Sequence, residues 1–218
     1  MKTIAEFVQD GINTLADLQD ALQTAMQLEF STIPPYLCAQ WSINGNNNGD
    51  PSGVSGMIET IVVQEMYHFA LAGNILSAIG GTPSIANAGF VPNYPTSTLP
   101  GGIALLNRST TPPSPATLDL LPLSNAQLQV FMDVEFPEFP PVALALTSAP
   151  TTIGAFYNTI SAGLTTVNPS INPNATFVKF EEAVQITSIQ AAQDAIATIK
   201  AEGEGTSGSP DEPSGDAL

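Results

Sequence analysis

The stretch that decides the fold runs from position 55 to position 81 and reads SGMIETIVVQEMYHFALAGNILSAIGG. Its apolar residues recur at steps of three and four, which is typical of one face of an α-helix. Ser55 is the predicted N-cap, and the glycines at positions 80 and 81, followed by Pro83, predict the end of the helix. A helix of about 25 residues is roughly 38 Å long, a length found in helical bundles. Its inward seam comprises Ile58, Ile61, Glu65, His68, Ala72, Ile75 and Ile79.

An earlier segment, from Thr14 to about Ile43, predicts another long helix with Thr14 as its N-cap. Pro34 and Pro35 should kink or break this helix, because a proline lacks the N–H and clashes with the preceding turn. The stretch 44–53, NGNNNGDPSG, consists of residues that favour turns and predicts a loop. The inward face of this helix is predicted to carry Leu15, Leu18, Leu22, Ala25 and Glu29.

The segment from Thr82 to Pro150 differs in character from the two helices before it. It carries most of the 19 prolines, shows no strand alternation and contains one convincing short helix, near 124–134. We therefore expect a long irregular crossover within a single domain. Helical patterns return at 151–164, in the apolar residues of 177–184, and from position 188 to Ile199.

These patterns predict an all-α fold, a four-helix bundle with the proline-rich crossover at 82–150 between its second and third helices. The last stretch, EGEGTSGSPDEPSGDAL, is acidic and rich in Gly, Ser and Pro, so it should form a loop or a frayed tail. The predicted division is a bundle domain over 1–204 and a tail over 205–218.

Composition narrows the classes of function. The 218 residues are 43% apolar, enough for one core, and the 20 acids against 4 bases give a net charge of −16. Such a charge repels nucleic acids and anionic membrane surfaces, and the four bases are scattered. One cysteine, Cys38, excludes an intrachain disulfide framework. Glu6 and Asp10 interrupt any signal-peptide stretch, and no run of about 18 apolar residues occurs, so we expect a cytoplasmic protein without a membrane span.

Two glutamates on otherwise apolar helix faces are the candidate functional residues. Burying Glu29 and Glu65 unpaired costs several kcal/mol, and with so few basic residues a metal ion is the simplest compensation. Glu65 and His68, at i and i+3, lie about 5 to 6 Å apart on one helix surface and can reach one ion. Glu-x-x-His is a weak motif alone, and the alternative is a proton-sharing or tyrosine-bonded cluster, with Tyr36 and Tyr67 as partners.

Two blocks of sequence also resemble a known family. LQTAMQLEFSTIPPYLCAQWSI (22–43) and IVVQEMYHFALAGNILSAIGGTP (61–83) are similar to the ferritin-like domain of iminophenylpyruvate dimer synthases of bisindole biosynthesis and of many bacterial proteins. Weaker similarity continues in VEFPE, TIGAFY and IKAEGEGT. The resemblance implies a ferritin-like four-helix core, in which opposed Glu-x-x-His units build metal sites. It also implies metal binding by Glu29, Glu65 and His68.

The sequence departs from the family in two ways. Ala155 stands where the family motif Ile-Gly-Glu-Phe-Tyr has its glutamate, and His68 is the only histidine, so a symmetric centre of two Glu-x-x-His units within this chain is excluded. Glu204, in Gly-Glu-Gly, is either a fourth ligand or a solvated acid of the tail. Glu135 either turns inward beside the metal or marks the end of a helix.

Three functions are compatible with these residues. The first is an iron-dependent oxidase or oxygenase with a mono- or dinuclear site, acting on an unknown small molecule; the same ligands accept manganese or zinc. The second is an inactive ferritin-like scaffold with an incomplete metal site. The third is a truncated copy of a longer enzyme, its last helix cut short, whose exposed apolar faces would favour a homo-oligomer.

Overall fold

The computed structural model describes residues 2–43, 53–135, 152–180 and 185–203. Residues 44–52 of the predicted loop at 44–53 lie outside these ranges, as do Glu204 and the predicted tail at 205–218. No helix in the described ranges is both long enough and apolar enough to cross a membrane. The elements in chain order are α1 (Ile4–Asp10), α2 (Leu15–Trp41), α3 (Val54–Ala78), β1 (Thr98–Leu99), β2 (Ile103–Ala104), β3 (Leu106–Asn107), β4 (Ser114–Pro115), α4 (Asn125–Val134), α5 (Ile153–Val167) and α6 (Ile189–Gly203).

Four of the helices form the bundle, and the prediction of an all-α fold is confirmed. Helix α2 packs along α3, α3 contacts α6, α6 contacts α5, and α5 returns to α2, which closes a ring around one core. Helix α1, which the sequence analysis did not predict, packs against α5. Its start is a capping box, in which Thr3 and Glu6 each accept the other's backbone N–H.

Helix α2 begins as predicted, with the Thr14 hydroxyl accepting the Asp17 N–H at 3.1 Å. Of the predicted kink or break at its prolines, the break is wrong, because the helix runs through Pro34 and Pro35 to Trp41. A proline at position 35 leaves the Ser31 carbonyl without its usual helical donor. The Tyr94 hydroxyl, from the crossover, donates to that carbonyl at 2.6 Å and replaces the missing bond.

The inward seam of α2 is correct except at its start. Leu15 is 41% exposed, contrary to the prediction, whereas Leu18, Leu22 and Ala25 are fully buried. The buried seam of α2 therefore begins at Leu18.

Helix α3 starts one residue before the predicted N-cap, so the assignment of Ser55 as N-cap is wrong. The cap is Gly53, whose φ of +75° favours glycine. Its end is as predicted: the N–H groups of Gly80 and Gly81 donate to the carbonyls of Ser77 and Leu76, at 3.0 and 2.9 Å, in a Schellman motif.

The crossover contains the predicted short helix, α4, capped by Ser124. It also contains two small antiparallel ribbons, β1–β2 and β3–β4, which the sequence analysis did not predict. Strands of two residues are too short to show an alternating pattern. The crossover packs on the bundle through buried side chains that include Phe90, Leu99, Leu105 and Leu118.

The segment after α5 is irregular, so the predicted helical pattern at 177–184 is wrong for its described part, 177–180. Asn74 of α3 holds this segment instead. Its side-chain oxygen accepts the N–H groups of Phe177 and Val178, at 2.9 and 3.1 Å. Helix α6 then extends to Gly203, so the expectation of a loop or frayed tail is wrong for the described part of that acidic stretch, residues 202–203.

Candidate metal centre

Helices α2 and α3 bring three potential metal ligands together in the core. Glu29 comes from α2, and Glu65 and His68 come from one face of α3. One ligand atom from each of these residues lies within 4.8 Å of the others. The side chains belong to residues that are only 6%, 5% and 1% exposed, respectively. The i, i+3 spacing in α3 and the apolar seam of α2 thus converge as the sequence predicted.

A hydroxyl group from the protein orients each of the two carboxylates. Tyr157 of α5, 1% exposed, donates its O–H to Oε1 of Glu29 in a short hydrogen bond. Thr32, one turn beyond Glu29 in α2, donates to Oε2 of Glu65 at 2.6 Å. Each carboxylate therefore has one oxygen directed by the fold.

The His68 imidazole lies between two carboxylates. Its Nδ1 is 3.4 Å from Oε2 of Glu29, and its Nε2 is 3.1 Å from Oε2 of Glu202. Glu202 belongs to α6, and its side chain is 35% exposed. The ring thus connects the buried cluster to the last helix of the bundle.

A cavity adjoins the three residues. Its volume is about 20 Å³, enough for one or two water molecules or ions and too small for an organic substrate. Glu135, which caps the C-terminus of α4, turns inward and lines it, and the buried Tyr36 donates a short hydrogen bond to Oε1 of Glu135. The residues lining the cavity are Leu28, Glu29, Thr32, Glu65, His68, Val134, Glu135, Ile153 and Ile199.

Tyr67 is placed differently from Tyr36. It immediately precedes His68 on α3, and its ring centroid is 6.5 Å from that of His68. It is not among the described residues that line the cavity. The structure therefore brings Glu135 to the cavity with Tyr36 as its hydrogen-bond partner, and neither tyrosine is among the described residues that line the cavity.

Burial and crowding of negative charge shift the proton affinities of the cluster. The pKa of Glu65 is raised, first by burial and then by the charges of Glu135 and Glu29. Burial also raises the pKa of Glu135 to about 7, with the Tyr36 hydrogen bond opposing the rise. Burial lowers the pKa of His68, but its hydrogen bonds to Glu202 and Glu29 and the surrounding negative charge outweigh this and raise it to about 10.

This donor set fits a divalent metal ion. Three carboxylates and one imidazole face the cavity, and no lysine or arginine is among its described lining residues. A cation at this place would relieve the repulsion that raises the pKa of Glu65. Mixed oxygen and imidazole donors suit iron, manganese and zinc. Glu29, Glu65 and His68 are the residues that could hold the ion.

Three residues of the site escaped the sequence analysis: Thr32, Tyr157 and Glu202. The inward position of Glu202 could have been predicted from helical periodicity, because the buried face of α6 includes Ala192, Ile196 and Ile199 and the next position on that face is 202. Nothing in the sequence pattern indicates the roles of Thr32 and Tyr157, because only the packing of three helices brings their hydroxyl groups to the carboxylates. Ala155, the departure from the family motif, is half-buried in the first turn of α5.

Comparison with known proteins agrees with this architecture. A crystal structure of a ferritin-like protein from Caulobacter vibrioides is similar in fold, with a TM-score of 0.69 and 24% identity, over 89% of this chain and 69% of that one. No protein of curated function matches the chain in sequence. The family model described as ferritin-like matches residues 22–217. The chain therefore belongs to the ferritin-like family.

Proposed function

We propose that this protein binds iron through Glu29, Glu65 and His68 and is an oxidase or oxygenase of the ferritin-like class. The convergence of these three buried ligand groups within 4.8 Å supports the proposal. Three protein donors leave coordination positions open, as dioxygen chemistry at iron requires. A bound iron ion would supply the one-electron chemistry by which dioxygen is activated. The cavity volume of about 20 Å³ matches dioxygen or water better than an organic molecule.

The chain's own residues would prepare the site before any ion arrives. The O–H of Tyr157 fixes one oxygen of Glu29, and the O–H of Thr32 fixes one oxygen of Glu65. Their second oxygens then remain available for an ion. This arrangement restricts the carboxylates without occupying all of their lone pairs.

Glu135 would act as an acid–base group beside the cavity. Its pKa, raised to about 7 mainly by burial, lets it take up or release a proton near neutral pH. Tyr36, whose own pKa is raised by burial and by the charge of Glu135, keeps its proton and orients the carboxyl group. The pair therefore can hold a proton at Oε of Glu135, on the wall of the cavity.

The first test is an anaerobic titration of the purified protein with Fe(II), counting ions bound per chain. Binding of one or two ions by the wild type and its loss in His68→Ala and Glu65→Gln would support the proposal. Glu59→Gln, which removes an exposed carboxylate from the same helix, is the matched control and should bind as the wild type does. If the wild type binds no iron, or if all four proteins bind equally, the proposal is wrong.

A second candidate function is that of a ferritin-like scaffold without turnover. Ala155 favours it, because this position supplies a methyl group where the family motif has a carboxylate. The two functions differ in one measurement. The scaffold would bind Fe(II) without consuming dioxygen, whereas the oxidase or oxygenase would consume dioxygen in proportion to the iron bound and lose this ability in His68→Ala.

A further inference from the structure

We infer that Glu202 is a positioning residue for His68: it accepts the N–H at Nε2 and so leaves Nδ1 directed at the metal. The inference rests on the proposed metal site and extends it to a residue of α6. Glu202 would touch neither ion nor substrate. Its effect would pass entirely through the imidazole.

The orientation of the ring carries this inference. Nδ1 faces Oε2 of Glu29 at 3.4 Å, inside the ligand cluster, whereas Nε2 faces Oε2 of Glu202 at 3.1 Å, away from it. An imidazole binds a metal through the lone pair of one nitrogen and carries its remaining proton on the other. With the ion at Nδ1, the proton must be at Nε2, where the carboxylate of Glu202 is in place to accept it.

A carboxylate at this position has two physical effects. It holds the imidazole plane, because the N–H bond prefers a linear approach to its acceptor. It also makes the ring a stronger donor, since partial negative charge moves onto the imidazole, and such partners typically improve metal affinity by about 10- to 100-fold. The remaining 35% exposure of Glu202 keeps this carboxylate partly hydrated, which limits the cost of placing it beside a buried ring.

A purely structural role is the competing explanation. The contact joins α6 to α3 and would help to hold the end of the last helix even without a metal. A structural role alters stability and leaves the properties of the imidazole unchanged. A positioning role alters metal affinity and the exchange of the Nε2 proton.

Because His68 is the only histidine, selective ¹⁵N labelling of histidine reports on this ring alone. Zn(II), which is diamagnetic, serves as the probe ion for NMR and for affinity by chelator competition. In the wild type we expect metal at Nδ1 and a slowly exchanging proton at Nε2. Glu202→Ala should weaken Zn(II) binding by about 10- to 100-fold and speed exchange of that proton.

Two further variants make the result specific. Glu202→Gln retains an oxygen acceptor and should recover a substantial part of the affinity and of the proton's protection. Asp194→Asn removes one exposed negative charge from the same helix and should behave as the wild type. Urea unfolding of every variant separates lost stability from lost affinity.

Each outcome decides a different question. If Glu202→Ala binds Zn(II) within twofold of the wild type, or only lowers the urea midpoint, the inference about Glu202 is overturned while the metal site stands. If the wild type itself binds no Zn(II) and no Fe(II), the proposed function fails and the inference fails with it. Metal at Nε2 instead of Nδ1 in the wild-type spectrum also overturns the inference.

Discussion

Replacing Glu135 by glutamine should stabilise the metal-free protein at alkaline pH and have little such effect at acidic pH. The amide oxygen of glutamine still accepts the Tyr36 hydrogen bond, so the change removes mainly a charge. The carboxylate faces a cavity that it shares with Glu29 and Glu65. Its ionised form is therefore less favourable in the folded protein than in the unfolded chain.

The pKa determines the size and sign of this effect. Burial raises the pKa of Glu135 from 4.5 to about 7. A raised pKa contributes stability below the unfolded value, and this stability is lost as pH rises through the folded value. Each pH unit corresponds to about 1.4 kcal/mol, so the full rise is worth about 3 kcal/mol. Because the residue is half-buried, solvent screens part of the effect, and we expect about 2 kcal/mol.

The assay is urea unfolding of the chelator-treated wild type and of Glu135→Gln, at pH 5 and at pH 8.5. The difference in unfolding free energy between the two proteins should grow by about 2 kcal/mol in favour of the variant from the lower to the higher pH. Taking the difference between the two pH values cancels any constant packing effect of the substitution. Glu59→Gln, at an exposed position, should show no such growth.

An equal difference at both pH values would refute the reasoning, because it would mean that Glu135 titrates alike in the folded and unfolded states. A variant that loses stability as pH rises would reverse the sign and show that a cation compensates the carboxylate. Either result would also remove the basis for Glu135 as an acid–base group near neutral pH.

Three further predictions concern the same core. Tyr157→Phe removes the hydroxyl that orients a cluster carboxylate, so it should lower stability by about 1–3 kcal/mol in urea unfolding and weaken Zn(II) binding by chelator competition. Gly73→Ala would place a methyl group 2.4 Å from Cδ1 of Phe177 and should lower the free energy of unfolding in urea by about 1–3 kcal/mol. Gly56→Ala, in open space on the same helix, should raise that free energy by about 0.5–1 kcal/mol. Equal effects of the two substitutions would contradict this packing. Ala155→Glu restores the carboxylate of the family motif and should raise the number of Fe(II) ions bound per chain; an unchanged stoichiometry would argue against a second ion position beside α5.

Periodicity predicted the bundle and two of its seams because a buried helix face needs apolar residues every three or four positions. Glu29, Glu65 and His68 were recognisable for the same reason, as ionisable residues on otherwise apolar faces. The exceptions to these local sequence rules could not be predicted from the sequence. Helix α2 passes through Pro34 and Pro35 because Tyr94, far along the chain, supplies the missing donor.

The sequence by itself determined the four helices of the bundle and which three ligand groups lie on inward faces, but it indicated neither α1 nor the irregular course of residues 177–180. These are local properties of capping, propensity and spacing. Tertiary structure alone decided the partners of those groups: Tyr157 for Glu29, Thr32 for Glu65, and the choice of Glu202 at His68. A hydrogen bond between separate helices depends on their relative rotation and register, and side-chain packing over the whole core sets both.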